Sequence, residues 1–224
     1  MPFDANTDSI EKQINLTLLR RDYQKLNSFE QEGKRVWRLL QSNLYQTDDT
    51  LRWHSIEAIA VLLRAQWDLG RQEKVLDYLR RLIWSISDES GGIGWSAPQT
   101  IAEIVVAIPQ LNEPFVNIMI GRAFSEPTLI KSGLWGIGRL GRRARQSVRI
   151  YHDIILASFA VDDPETLGLV SWAMGETKYK PALPYLQKLT QRHEIVRIYA
   201  PPCLFEKPLE SWVMGAIAEI DRDA

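Results

Sequence analysis

Five stretches of the chain can be laid over one another without a gap, and this internal repetition limits the fold more than any other feature. They are HSIEAIAVL (54–62), SAPQTIAEI (96–104), SGLWGIGRL (132–140), LVSWAMGET (169–177) and WVMGAIAEI (212–220). The seventh residue of each is small: Ala60, Ala102, Gly138, Gly175 and Ala218. The residue before it is Ile59, Ile101, Ile137, Met174 or Ile217. The small residues are spaced by 42, 36, 37 and 43 positions, room for a helix, a turn, a second helix and a connection. Glycine in a helix interior costs about 1 kcal/mol relative to alanine. Gly138 and Gly175 therefore point to places where two helices cross closely.

Second helices read out between the small-residue helices. QEKVLDYLRRLIWSI sets Val75, Leu79, Leu82, Ile83 and Ile86 on one stripe. RQSVRIYHDIILASF does the same with Val148, Tyr151, Ile155 and Phe159, and KPALPYLQKLTQ with Leu183, Leu186 and Leu189. No alternating strand of useful length emerges. PPCLFEKP (201–208) reads as a proline-stiffened connection in which Cys203 is a small apolar residue. IEKQINLTLLRR and RVWRLLQSNLY read as helices of a divergent first repeat. The expected organisation is thus one domain, 1–224, with 1–50 as a divergent N-terminal capping region.

VSWAMGETKYKPALPYLQKL (170–189) resembles the HEAT-like repeat of the phycobilisome-lyase type, and GLWGIGRLG repeats its first half. The resemblance runs over about residues 52–220. It implies an all-α fold, a right-handed α-solenoid of about five HEAT-like helical hairpins forming an α–α superhelix. Proteins of this type are mostly binding scaffolds. A minority are bilin lyases, metal-dependent hydroxylases or DNA glycosylases. The hydroxylases hold metal through several His-Glu pairs, whereas this chain has the single pair His193-Glu194, and neither His54 nor His152 has an adjacent Glu. No metal and no other cofactor is expected.

A formal net charge of −1 creates no global field for nucleic acid or anionic membrane. The single cysteine cannot make an internal disulfide, which fits a reducing compartment. The opening MPFDANTDSIEKQ has no basic segment followed by an apolar run, and the longest apolar runs are too short to span a bilayer. The expected location is the cytoplasm.

The glycine-rich stretch SGGIGWSAPQTIAEIVVAI (90–108) follows no strand and carries no Lys-Ser or Lys-Thr, so a phosphate loop is excluded. Ser96 and Gln99 have the spacing of a capping box, and Pro98 suits a first helical turn. The three glycines predict greater mobility for Ser90–Gly94 than for its flanks. Trp95 and Ser96 are the candidate partner-contacting loop.

Eight tryptophans are many for 224 residues. Trp53 and Trp95 lie seven residues before a small position, and Trp135 and Trp172 lie three before one. Such regularity points first to repeated packing and second to an aromatic groove.

Charge is unevenly placed. Five of the eleven residues from Arg139 to Arg149 are arginine: Arg139, Arg142, Arg143, Arg145 and Arg149. Residues 121–160 balance to +5, and residues 161–224 to −3. Arginines near a helix start oppose its dipole, so this placement is not explained by helix stability. The cluster is the candidate site for an anion or an acidic partner segment. The expected function is a non-catalytic protein–protein interaction scaffold or adaptor, binding another protein on a concave face lined by the second helices. A nucleic-acid-binding or DNA-glycosylase-like role is the alternative that the arginines and tryptophans admit. A bilin lyase-like role is a further alternative, carried by the resemblance alone.

Overall fold

A computed structural model describes residues 5–32, 35–46, 49–87 and 94–222. The chain is mostly helical. Its helices are α1 (Ala5–Leu19), α2 (Tyr23–Gln31), α3 (Val36–Asn43), α4 (Asp49–Asp68), α5 (Gln72–Ser85), α6 (Ala97–Ala107) and α7 (Asn112–Ser125). There follow α8 (Ile130–Leu140), α9 (Arg145–Ile150), α10 (His152–Leu156), α11 (Pro164–Glu176), α12 (Leu183–Leu186) and α13 (Leu209–Asp221). Among the described residues no helix is long and apolar enough to cross a membrane.

The five repeated stretches fall on α4, α6, α8, α11 and α13, and each of these helices packs on the one before it. The small residues explain how. Gly138 and Gly175 each face the next helix in the row. A Cβ added to Gly138 would lie 2.5 Å from Trp172 of α11, and one added to Gly175 would lie 2.7 Å from the Cα of Ala216 in α13. Ala60 and Ala102 are likewise buried, and Ala102 meets Gly136 of α8. Ala218 departs from the expected pattern, because it is exposed. Among the described residues α13 has no successor in the row, so no crossing demands a small residue there. Ala216, two positions earlier, makes the contact with Gly175 instead.

The second helices sit where their stripes require. Val75, Leu79, Leu82 and Ile86 are buried along α5. The single helix expected over 145–159 breaks at Tyr151 (φ −103°, ψ 20°) into α9 and α10, while Val148 and Ile155 stay buried. The N-terminal helices α1, α2 and α3 all pack on α4. His54 of α4 is buried there, with its Nδ1 2.9 Å from the carbonyl of Leu18.

The connection expected at 201–208 is instead one arm of a β-hairpin. Strands β1 (Ile195–Ala200) and β2 (Cys203–Pro208) pair antiparallel, with Ile195 opposite Pro208 and Ala200 opposite Cys203. Pro201 and Pro202 make the turn, where no ladder donor is needed. The first part of β1 alternates, exposing Ile195 and Arg197 and burying Val196 and Ile198. Cys203 and the rest of β2 are largely exposed, so Cys203 is not a core residue.

The capping box is also corrected. Ser96 occupies the cap position of α6, but its hydroxyl donates to the carbonyl of Leu44 at 2.8 Å and not to its own helix. Both partners are buried, and this contact ties α6 to the end of α3. Ser96→Ala is expected to cost about 1–2 kcal/mol, the penalty of a buried carbonyl left unsatisfied, readable from urea unfolding. Of the segment expected to be mobile, residues 90–93 lie outside the described residues.

A cap that the sequence reading did not name starts α11. Asp163 accepts from the Thr166 amide at 3.0 Å and the Thr166 hydroxyl at 2.6 Å, and it pairs with Lys131 at 2.9 Å. Burial opposes its charge, but the hydrogen bonds from Thr166 and Lys131 outweigh burial and hold its pKa below the usual aspartate value. Its contribution is therefore present above about pH 4, the unfolded-state pKa, and is lost as pH falls through the lower folded value. Asp163→Ala is expected to cost about 1 kcal/mol near neutrality. The difference from wild type should shrink at the acid end of a pH-dependent unfolding series.

Candidate functional site

Residues seven before, three before and one after each small position share a helical face, since they are four apart. On α4 these are Trp53, Glu57 and Val61; on α6, Gln99 and Glu103, with Trp95 in the turn before it; on α8, Lys131, Trp135 and Arg139; on α11, Gly168, Trp172 and Glu176. The row of helices sets these faces side by side. Trp53 and Trp135 stand on the two helices flanking α6, yet their rings meet above it with centroids 4.7 Å apart. Trp172 extends the series, 6.3 Å from Trp135.

The β-hairpin closes over this face. Tyr199 of β1 stacks on Trp53, with centroids 4.7 Å apart and planes 13° apart. Trp135 donates its indole N–H to the Tyr199 carbonyl at 2.6 Å. Beneath lies a buried carboxylate, Glu57. Its Oε1 accepts from the Tyr199 hydroxyl at 2.6 Å, and its Oε2 from the Tyr23 hydroxyl and Arg21 Nη2, each at 2.5 Å. Arg21 also donates to the Tyr199 hydroxyl at 3.2 Å and to the Pro202 carbonyl at 2.7 Å. Its backbone sits at φ +57°, a left-handed conformation that costs a non-glycine residue about 1–2 kcal/mol and is held here by these bonds. Next to this knot, Arg139 grips Glu103 through two bonds of 2.6 and 2.8 Å.

Protonation follows from the surroundings. Desolvation first, then the neighbouring Glu57 carboxylate, hold the phenols of Tyr23 and Tyr199 well above the usual tyrosine range. The hydrogen bonds that Arg139 donates to Glu103 raise its pKa against the desolvation that opposes its charge. Glu57 is thus an acceptor of three donors, and Glu103 is a bidentate acceptor. The arrangement fastens the hairpin and the N-terminal helices to α4, α6 and α8.

Towards the start of the same helices the face stays open. A cleft of about 400 Å³ lies between β1 and α4, α6, α8 and α11. Trp53, Trp135 and Leu169 line it, and Asp49, Arg52, Lys131 and Glu165 bring charge to it. Arg52 lies over the Trp53 ring at 4.7 Å and pairs with Asp49 at 2.7 Å, while Lys131 pairs with Glu165 at 2.5 Å. Gln99 is buried at the cleft, and its Oε1 has no hydrogen-bond partner among the described residues. Trp95, one turn before Gln99, is 64% exposed, as are Ile195 (57%) and Leu204 (42%) from the hairpin.

The arginine cluster serves the fold in part. Arg139 belongs to the Glu103 pair. Arg143 donates to the carbonyl of Val106 at 3.1 Å, and Arg145 to that of Lys178 at 3.4 Å. Those carbonyls lie at or just past the ends of α6 and α11, where unsatisfied oxygens and the dipole favour a cation. The arginines that oppose their own helix start thus answer neighbouring helix ends. Arg142 and Arg149 are exposed. Trp95 is on the surface as expected for a partner contact, whereas Ser96 is buried. The sequence reading missed Arg21, Tyr23, Glu57, Glu103 and Tyr199. Charged residues at the Trp135 register and one turn beyond it were the available signal for Glu57, Glu103 and Arg139.

Among the described residues no group of three His, Cys, Asp or Glu side chains is placed to hold a metal ion. His193 lies 2.9 Å from Glu210, and His152 lies 3.2 Å from Asp153.

No family model matches the chain, and no solved structure does. Over 107 residues the chain is 32% identical to an uncharacterized protein of Archaeoglobus fulgidus. That stretch is 46% of this chain and 53% of the relative, so the chain spans about half the length of the relative it matches.

Proposed function

We propose that the chain is a HEAT-like right-handed α-solenoid acting as a non-catalytic binding scaffold for another protein. The partner is placed on the face of α4, α6, α8 and α11, not on the second helices. The contact of Trp53 with Trp135 above α6 carries this reading. Side chains from alternate helices meet most readily where the row bends toward them, so this contact supports an inner face on the first helices. The hairpin fills the middle of that face and leaves the cleft beside it. Exposed Ile195 and Leu204 of its lining supply apolar contact, exposed Trp95 stands beside Lys131 through the bond of its carbonyl to Ser132, and Arg52, Lys131, Asp49 and Glu165 supply charges of both signs. An extended segment with an apolar anchor and charged flanks fits such a site. The cleft is preferred to the arginine cluster because Arg139, Arg143 and Arg145 are engaged within the fold.

The test is affinity capture from the native lysate with wild type, a Trp95→Ala/Leu204→Glu variant and an Arg142→Ala/Arg149→Ala variant, followed by titration of the purified partner. The expected result is a partner bound by wild type and by the arginine variant, and at least tenfold more weakly by the cleft variant. Unchanged binding by the cleft variant would contradict the reading. So would salt-sensitive retention of duplex DNA that depends on Arg142 and Arg149.

A further inference from the structure

A second groove lies elsewhere, between α2 and α3 on one side and α4 and α5 on the other. It holds about 670 Å³, within the usual range for small-ligand sites. Trp37 of α3 and Tyr78 of α5 form its aromatic wall, with ring centroids 5.6 Å apart and planes at 51°. From the cap of α5 onward, Arg71, Lys74, Tyr78 and Arg81 follow spacings of three, four and three, which is one helical stripe. This stripe is separate from the buried one of Val75, Leu79 and Leu82. All four of its residues line the groove.

The charges there are unbalanced. Among the described residues Arg71, Lys74 and Arg81 make no ion pair, although other nearby cations do: Arg64 with Asp68, and Arg80 with Asp77 and Glu73. Of the two acids at the groove, Asp77 is held by Arg80 at 2.7 Å. The other, Glu30, accepts the backbone N–H groups of Val36 and Trp37, and burial raises its pKa. Three cations thus surround an aromatic wall with their charge unanswered. Asn27 and Gln66 add amides that can meet the edge of a ring, Gln66 already accepting from Arg71 at 3.1 Å. The buried knot at Glu57 balances every cation with a carboxylate.

We propose that this groove is a binding site for a nucleoside phosphate, with the base against Trp37 and Tyr78 and the phosphates on Arg71, Lys74 and Arg81. Flat rings pack on aromatic faces, and a guanidinium fork matches phosphate oxygens. The site is independent of the protein-binding cleft, so either can fail without the other.

Isothermal titration of the full chain with ADP, GDP, CDP and UDP, and with pyrophosphate and adenosine as partial probes, tests the assignment. At least one nucleoside diphosphate should bind, and both pyrophosphate and adenosine should bind at least tenfold more weakly. The Arg71→Ala/Lys74→Ala/Arg81→Ala variant changes only exposed side chains, so its melting curve should match wild type while its affinity falls at least tenfold. Absence of binding by all four diphosphates at millimolar concentration would overturn the proposal. Pyrophosphate binding as tight as any diphosphate would do so too, as would unchanged affinity in the triple variant.

Discussion

Glu57→Ala is expected to destabilise the protein by about 3–5 kcal/mol, the range for removing one partner of a buried ion pair. Three donors lose their acceptor at once: Arg21, Tyr23 and Tyr199. At about 2–4 °C per kcal/mol for a chain of this size, melting should fall by roughly 6–20 °C. Loss should spread to the hairpin, because Tyr199 and Pro202 share the same knot through Arg21. Proteolysis near the Pro201–Pro202 turn should quicken, and the near-UV signal of the Trp53–Tyr199 stack should weaken. Glu57→Gln keeps the shape and one acceptor, so its loss should be smaller. A change below about 1 kcal/mol for Glu57→Ala would mean that the carboxylate is solvated rather than shared.

Gly175→Leu should be nearly as damaging, for a different reason. The obstacle is the Cα of Ala216, 2.7 Å from where a Cβ would stand, and a backbone atom cannot rotate away. Overpacking usually costs about 1–3 kcal/mol, and this site should reach the upper end or exceed it. Ala218→Leu is the contrasting change. Ala218 is exposed on the last helix of the row, so leucine there should stay within about 0.5 kcal/mol of wild type. Equal losses at 175 and 218 would restore the five-fold register that the fold breaks.

The parts of this fold that repeat were legible, and the parts that occur once were not. Ala60, Ala102, Gly138 and Gly175 announce close crossings because the same steric demand recurs at the same register. Val75, Leu79 and Leu82, and Val148 and Ile155, follow from helical period alone. The hairpin had a short signal, the alternation of Ile195 to Ile198, but Pro201, Pro202 and Pro208 masked it as a connection. Glu57 was hidden for another reason. Its partners Arg21, Tyr23 and Tyr199 lie up to 142 residues away, and no local period links them. The helix-end contacts of Arg143 and Arg145 were hidden because the charges were weighed against their own helix. The carbonyls that Arg143 and Arg145 meet belong to residues more than 30 positions off. The stripe Arg71, Lys74, Tyr78 and Arg81 was fully visible as a period. It lacked only the opposing wall, Trp37, that turns it into a groove.

The hairpin closes over the first helices through the contact of Tyr199 with Glu57, and a double-mutant cycle between Glu57→Ala and Tyr199→Phe reads it directly. The two residues are joined by one hydrogen bond of 2.6 Å across 142 positions of chain. Chemical unfolding of wild type, both single variants and the double variant gives the coupling. A coupling of about 1–3 kcal/mol is expected, as for residues in one hydrogen-bond network. Additivity within about 0.3 kcal/mol would contradict it, placing Tyr199, and the hairpin with it, away from the face of α4.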